Sequence, residues 1–321
     1  MKYLSSIGKA LISLLALFVI YNQVDFKLTM DSFRSLDPIY LVLAVVILIM
    51  QALIASLRWN IVLNSLKIAI TYLSALKIFS MGLFFNQILP SSIGGDSVRG
   101  YLIYKRGNGI RESIKSVLID RVIGLIILML IAMIALIASG ELIPDSSSTS
   151  KILLITLICP LVLSLVLFLD KFKRFFPNLK YLDEIFSILN VIRRQIFSIK
   201  PGGYLIIISI IAHSMTVLVI YLLSLGMGVG LTLDGAFIIV PISTLVMVLP
   251  ISISGWGIRE GTMIVGMGYL GIAAESALAI SLLYGILVLL VALPGGFIWM
   301  MSGQNISMIS KIKSKNEEMN Q

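Results

Sequence analysis

Leu89-Pro90-Ser91-Ser92-Ile93-Gly94-Gly95-Asp96-Ser97-Val98-Arg99 is the stretch on which the reading of this chain turns. Adding 160 to each number gives Leu249-Pro250-Ile251-Ser252-Ile253-Ser254-Gly255-Trp256-Gly257-Ile258-Arg259. Six of the eleven positions are identical, and Val98 with Ile258 is a conservative seventh match. Both copies interrupt apolar sequence with a proline, small residues and an arginine. Interrupted segments at corresponding positions of two halves are the best sequence pointer to a membrane transport site.

Composition places the chain in a bilayer. It has 321 residues, 58% hydrophobic and only 13% charged, with a mean hydropathy of +1.03. The net charge of +9 is not a nucleic-acid signal, because Lys and Arg are spread through connecting loops, as membrane proteins distribute them to set orientation. The single cysteine, Cys159, excludes a disulfide framework, and the single histidine, His213, excludes a His-rich metal cluster. No Walker loop or nucleophile-base arrangement is present, so no catalytic residue, metal or cofactor is expected and the chain reads as transporter-like rather than as an enzyme. Lys2, Lys9 and the apolar run Ala10–Ile20 resemble a signal peptide, but Tyr21-Asn22-Gln23 is a poor cleavage site, so a retained first helix is expected.

Full spans are predicted at about 8–24, 38–57, 113–138, 152–170, 204–225 and 277–300, and each of the regions 71–105 and 235–270 carries one copy of the Leu-Pro motif. Charge decides whether those regions cross. A simple crossing at 71–90 would put Arg99, Lys105, Arg106, Arg111 and Lys115 outside, against the positive-inside rule. A re-entrant helical hairpin broken at Pro90, returning near 93–105, removes the conflict. Irregular backbone at that depth is tolerated where protein or a water-filled cavity surrounds it. The same logic makes 235–270 a hairpin entering from the other face. Each half then has three crossings, an odd number, so the halves form an inverted repeat. The expected protein is all-α and integral to the plasma (inner) membrane, with about six full spans, two re-entrant hairpins and both termini cytoplasmic. Its membrane domain is read as 1–303, with halves at about 8–138 and 152–300, followed by a basic tail at 304–321.

Segment 171–203 is expected to be cytoplasmic. Leu182, Ile185, Phe186, Leu189, Ile192, Ile196 and Ile199 recur at a helical period, with Asp183, Glu184, Asn190, Arg193 and Arg194 on the other face. Two readings stand: a helix lying in the membrane interface, or one packed on the ends of the spans or on a second copy.

Ionisable residues at membrane depth are functional candidates by default, because desolvating them unpaired is costly. Arg99 and Arg259 lead. Each follows a Ser- and Gly-rich helix start whose free N–H groups and positive dipole end favour an anion. The predicted head-group site therefore comprises Arg99, Arg259, Ser92, Gly94, Gly95, Asp96, Ser252, Gly255 and Glu260, with phosphate the natural ligand of the arginine fork. The competing reading is internal pairing: Arg99 with Asp96 three residues back, and Arg259 with Glu260 or Glu275. Adjacent helix residues point apart, which counts against Arg259 with Glu260. The glycines and serines have a second reading as turn formers. Asp120 and Arg121 sit inside a spanning helix as a coupling element or internal ion pair. Asp120 with Arg99 is the expected partner across the bundle, and snorkelling to the interface is the alternative for Arg121. Arg58-Trp59 reads as an interfacial anchor, His213 as a packed, hydrogen-bonded residue, Trp256 as cavity-lining or simply packed, and Lys77 as snorkelling or facing the cavity.

At Leu89–Lys105, Ser116–Leu125 and Pro250–Gly261 the chain resembles the membrane region of the lysylphosphatidylglycerol synthase/flippase family. Pro90, Ser92, Gly94, Gly95, Asp96 and Arg99, then Asp120, Arg121 and Gly124, then Gly255, Gly257, Arg259, Glu260 and Gly261 carry the resemblance, with Arg58-Trp59 in keeping. It covers roughly residues 5–303. The resemblance implies a membrane part that translocates lipid. In bifunctional relatives a soluble domain makes the aminoacylated lipid, and that domain is expected to be missing here, since 18 residues follow 303. Stand-alone relatives are implied to handle other lipids, including polyprenyl- or glycan-linked ones. The expected partners are therefore the bilayer and an anionic phospholipid or polyprenyl-linked lipid, with no nucleic acid and a homo-oligomer left open. The alternatives are a membrane-embedded transferase using Asp96 and a scaffold subunit acting through 171–203.

Overall fold

The computed structural model describes residues 20, 24–89, 94–139, 180–248 and 254–302. Among them are ten helices and no strand: α1 Phe26–Arg34, α2 Pro38–Ser65, α3 Tyr72–Ile88, α4 Gly94–Lys105, α5 Ile110–Ser139, α6 Lys180–Ile196, α7 Ile199–Gly226, α8 Leu233–Val248, α9 Ile258–Gly268 and α10 Ala274–Met301. Helix starts follow from local chemistry. Asp37 accepts from the Ile39 N–H with Pro38 at the first helical position of α2, Thr71 accepts from the Ser74 N–H to cap α3, and Ser198 accepts from the Gly202 N–H to cap α7.

Four helices are long and apolar enough to cross a bilayer: Pro38–Ser65, Ile110–Ser139, Pro201–Gly226 and Ala274–Met301. The chain is a multi-pass membrane protein on these spans. The predicted spans 8–24 and 152–170, like Cys159, lie outside the described residues. Where expectation and structure overlap, the helices are longer than the apolar runs. Predicted 38–57 becomes Pro38–Ser65, 28 residues, because Arg58 is paired inside the bundle and the helix does not have to stop at its first cation. At 1.5 Å per residue that is about 42 Å, against a hydrocarbon core of about 30 Å.

Exposed large apolar residues on α2 recur at Ile39, Val42, Val46, Ile49, Leu53 and Leu57. They form one outward stripe at helical spacing, as a lipid-facing surface requires. The opposite face buries Ala44, Leu48, Ser56, Trp59 and Leu63.

Both motif regions fold as antiparallel helical hairpins. In the first, Gly95 lies against the Gly82 carbonyl and Asn86. In the second, Gly255 lies against Met247 and Gly266 against Ile239. Element order repeats as long helix, hairpin, long helix: α2, α3–α4, α5, then α7, α8–α9, α10. Packing repeats too. Helices α2 and α7, the equivalents in the two halves, pack on each other, and the α3–α10 contact is matched by its exchange partner α8–α5. Along the α2–α7 pair, the Asp37 N–H donates to the Gly226 carbonyl at 2.9 Å, Gln51 to the Ala212 carbonyl at 2.9 Å and Arg58 to Ser209 at 3.3 Å. Rising numbers meet falling ones, so the pair is antiparallel. Helices α3 and α10 run parallel, with Gly295 at Ser80, Gly296 at Phe84 and Trp299 edge-on to Phe85 at 4.8 Å.

The amphipathic segment is a docked helix, α6. Phe186, Leu189 and Ile192 are buried with Val62, Ile119, Ile123 and Leu205 of α2, α5 and α7. Gln195 donates to Ser65 and Lys115 to Ser187 at 3.2 Å. The remainder of 171–203 that precedes α6 lies outside the described residues.

The α3–α10 contact depends on Gly295, where a Cβ would collide with the Ser80 carbonyl. Gly295→Val should therefore destabilise the protein by about 1–3 kcal/mol, the usual penalty for overpacking. Thermal melting in detergent will read this as a lowered midpoint. Gly203→Ala, on a helix face with nothing within 4 Å of the added Cβ, should leave the midpoint unchanged or slightly raised.

Candidate functional site

Close approach of α3 and α4 builds the site. A Cβ on Gly82 would lie 2.6 Å from Arg99 Cγ, so only glycine lets the Arg99 stem cross there. The guanidinium then lies over the rings of Trp59 at 4.2 Å and Phe79 at 4.6 Å, favourable faces for a cation.

From there a chain of charges runs across three helices. Arg58 Nε donates to Asp120 Oδ1 at 2.8 Å. Asp120 Oδ2 accepts from Arg99 Nη2 at 2.8 Å. Arg99 Nη1 lies 3.3 Å from Asp96 Oδ1, and Asp96 Oδ2 accepts from Arg121 Nε at 2.6 Å. The order is Arg58–Asp120–Arg99–Asp96–Arg121, three cations and two anions. The Asp120 and Arg99 side chains are 2% and 4% exposed, whereas Arg121 is 47% exposed. Buried charges of this kind persist only when paired and hydrogen-bonded. Among the described residues Arg99 Nε and Trp59 Nε1 are buried without a hydrogen-bond partner, so the arginine at the centre of the chain is one acceptor short.

A part-open pocket of about 160 Å³ lies over this chain, lined by Arg58, Phe79, Leu83, Asn86, Arg99, Asp120 and Arg121. The second motif forms a separate cluster. Arg259 Nη2 and Nε donate to Glu260 Oε1 at 2.5 Å and 3.0 Å, and Arg259 also reaches Ser281 at 3.3 Å. Its guanidinium lies 4.6 Å from the Trp256 ring, 5.7 Å from Tyr284 and against Gly285. This cluster is neutral. The two hairpin tips do touch: the Ser254 hydroxyl donates to the carbonyls of Asn86 at 2.7 Å and Gln87 at 3.2 Å.

Measured against the sequence, the expected Asp120–Arg99 pair forms, and so does Asp96–Arg99. Arg121 is both paired with Asp96 and half-exposed. The contacts of Arg99 lie in the first half and those of Arg259 in the second. The expectation that Arg259 and the adjacent Glu260 point apart is wrong. The reason is a later helix start. Ser254, Gly255 and Gly257 have φ of 51°, 82° and 84°, a left-handed turn that delays α9 to Ile258. Glu260 then folds back to accept from the Gly257 N–H at 2.6 Å, bringing its carboxylate to the Arg259 side chain. The Gly95 N–H is likewise taken, donating to Asn86 Oδ1 at 2.8 Å. Gly94 begins α4 against Leu89. Ser92 and Ser252 lie outside the described residues.

Arg58-Trp59 is not an interfacial anchor. Both are buried, because they face α5 and the Arg99 guanidinium rather than the helix end. Arg58 is the site residue that sequence reasoning missed. The signal available was an arginine that interrupts an apolar helix opposite an unpaired aspartate. His213 donates from Nε2 to the Gly124 carbonyl, 2.9 Å away, beside the Arg58 guanidinium that covers Gly124. Trp256 stacks on Arg259, and Lys77 is exposed on α3. No group of three His, Cys, Asp or Glu side chains suited to a metal is present among the described residues.

Comparison with known proteins finds membrane proteins. The family described as lysylphosphatidylglycerol synthase TM region matches residues 6–296. A UPF0104 membrane protein of Methanothermobacter thermautotrophicus is 24% identical over 280 residues, covering 78% of this chain and 81% of the relative.

Removing Asp120 takes the 2.8 Å partner from two buried arginines, Arg58 and Arg99, whereas removing Arg121 leaves Asp96 still paired with Arg99. Asp120→Ala should cost about 3–5 kcal/mol, the loss typical of breaking a buried pair from one side, and Arg121→Ala clearly less. Thermal melting of the two variants in the same detergent will rank them; equal midpoints would remove Asp120 from its central place.

Proposed function

Because the chain belongs to the family of the lysylphosphatidylglycerol synthase TM region, we propose that it is a lipid translocase that holds an anionic head group at the Arg99 pocket. One observation carries the reading: a pocket walled by Arg58, Arg99, Arg121 and Asp120, part of a network of three arginines and two aspartates, inside a bundle with an apolar outer surface. An electroneutral ion-pair network would suffice for structure. The buried Arg58, Arg99, Asp96 and Asp120 balance, and the surplus cation, Arg121, is half-exposed beside them, placed to meet an anion at the open end of the network. Phosphate matches the arginine fork in charge and geometry, and Phe79 and Leu83 give the pocket an apolar wall.

The two halves form an inverted repeat. A two-fold axis that exchanges neighbouring antiparallel helices lies across them, and α2 with α7 is such a pair. Rocking one half against the other about the hairpin contact, Ser254 with Asn86 and Gln87, would open the pocket to alternate sides. Arg259, already neutralised by Glu260, holds the second hairpin in shape rather than the cargo. The protein resides in the plasma membrane with both termini cytoplasmic, as its basic loops favour.

The test is reconstitution into liposomes with fluorescent phospholipid, following movement between leaflets. Arg99→Gln and Arg121→Gln should slow movement at least about tenfold, equivalent to about 1.4 kcal/mol of lost binding. Lys77→Gln should match wild type. Wild-type rates in both arginine variants, with folding verified by melting, would remove the pocket from the transport path.

A further inference from the structure

We infer that the pocket selects a lipid head group of net charge minus one at a single phosphodiester, in preference to zwitterionic, cationic and dianionic head groups. This rests on the lipid-binding reading above and adds the substrate class.

The inference comes from charge counting. The arginines Arg58, Arg99 and Arg121 and the carboxylates Asp96 and Asp120 are joined in one unbroken chain of contacts from 2.6 to 3.3 Å. The cluster therefore carries one uncompensated positive charge, and both carboxylates are already engaged by two arginines each. The second hairpin adds nothing to the balance, because Arg259 and Glu260 cancel within their own cluster. Residues Pro90 to Ile93, which follow α3 in the chain, include no ionisable side chain.

Electroneutrality of the occupied pocket is the controlling condition: the buried Arg58, Arg99, Asp96 and Asp120 balance, and half-exposed Arg121 is the cation left for the ligand. A phosphodiester lipid with an uncharged head, such as phosphatidylglycerol, brings one negative charge and leaves the occupied site neutral. A zwitterionic phosphatidylethanolamine leaves the surplus cation in place. An aminoacylated head such as lysyl-phosphatidylglycerol, with two ammonium groups and one phosphate, doubles the surplus, and both carboxylates of the cluster are already taken by arginines. A phosphomonoester near two negative charges, phosphatidic acid or a polyprenyl phosphate, overshoots to a net anion. The location of the exposed cation agrees: Arg121, at the open end of the chain, is half-exposed while its carboxylate partner Asp96 is buried.

Binding of short-chain phosphatidylglycerol, phosphatidylethanolamine, lysyl-phosphatidylglycerol and phosphatidic acid to the full-length protein in detergent, followed by native mass spectrometry, tests the charge count. Phosphatidylglycerol should bind about tenfold tighter than each of the others. Two variants that change the count by one in opposite directions should move the preference. Arg121→Gln makes the cluster neutral and should make phosphatidylethanolamine bind tighter than phosphatidylglycerol. Asp96→Asn raises the surplus to two and should make phosphatidic acid the tightest ligand. Melting curves establish that each variant is folded, and either variant alone suffices for the test. Equal binding of all four lipids that is lost in Arg99→Gln would overturn the selectivity while leaving the site in place. Binding indifferent to Arg99→Gln would overturn the lipid site itself.

Discussion

Asp120 is the residue on which the first half of the molecule depends. Its two oxygens accept from arginines on two other helices, Arg58 of α2 and Arg99 of α4, so a single carboxylate ties three elements together. None of these charges is tolerable alone in the interior of an apolar bundle. The helices have no arrangement in which they are buried separately, which makes the network a constraint on how α2, α4 and α5 assemble. The extension of α2 past Arg58 follows from it. So does the orientation of Trp59, which is directed inward to face the Arg99 guanidinium.

Glycine sets the distances at which this can happen. Gly82 and Gly95 bring the arms of the first hairpin together, Gly124 makes room for Arg58, and Gly285 makes room for Arg259. In lipid there is little hydrophobic drive to press helices together, so close backbone approach and polar contacts do that work. Small residues and buried arginines are therefore two parts of one solution: the first creates the clearance that the second occupies.

The halves share architecture and divide chemistry. Exchange of α2 with α7 and of α3–α4 with α8–α9 preserves which helices touch, yet the partners of the two equivalent arginines differ. Position 96 is an aspartate and its counterpart 256 a tryptophan; Asp120 and Arg121 correspond to Ile280 and Ser281. The second arginine is left with its neighbour Glu260 and two aromatic rings. One half thus carries a charged, part-open pocket and the other a neutral cluster, and the two hairpins meet at Ser254.

Much of this was legible in residue order. Apolar runs located the four long helices, the repeat at an offset of 160 located both hairpins, and the rule that intramembrane charges need partners anticipated Asp120 with Arg99. Those inferences succeed because length, hydropathy and the cost of a lone charge in lipid are local properties. Tertiary structure alone decided the rest: that Arg58 faces inward rather than anchoring an interface, that α6 docks on the bundle, and that Arg259 pairs with its neighbour. Each depends on direction. Whether a side chain on a helix that is apolar all round points to lipid or to a partner is set by which helices pack beside it, and no periodicity in the chain records that choice. For Arg259 the decision lay in three left-handed backbone angles, which moved a helix start by a turn and brought together two groups that a regular helix would have kept apart.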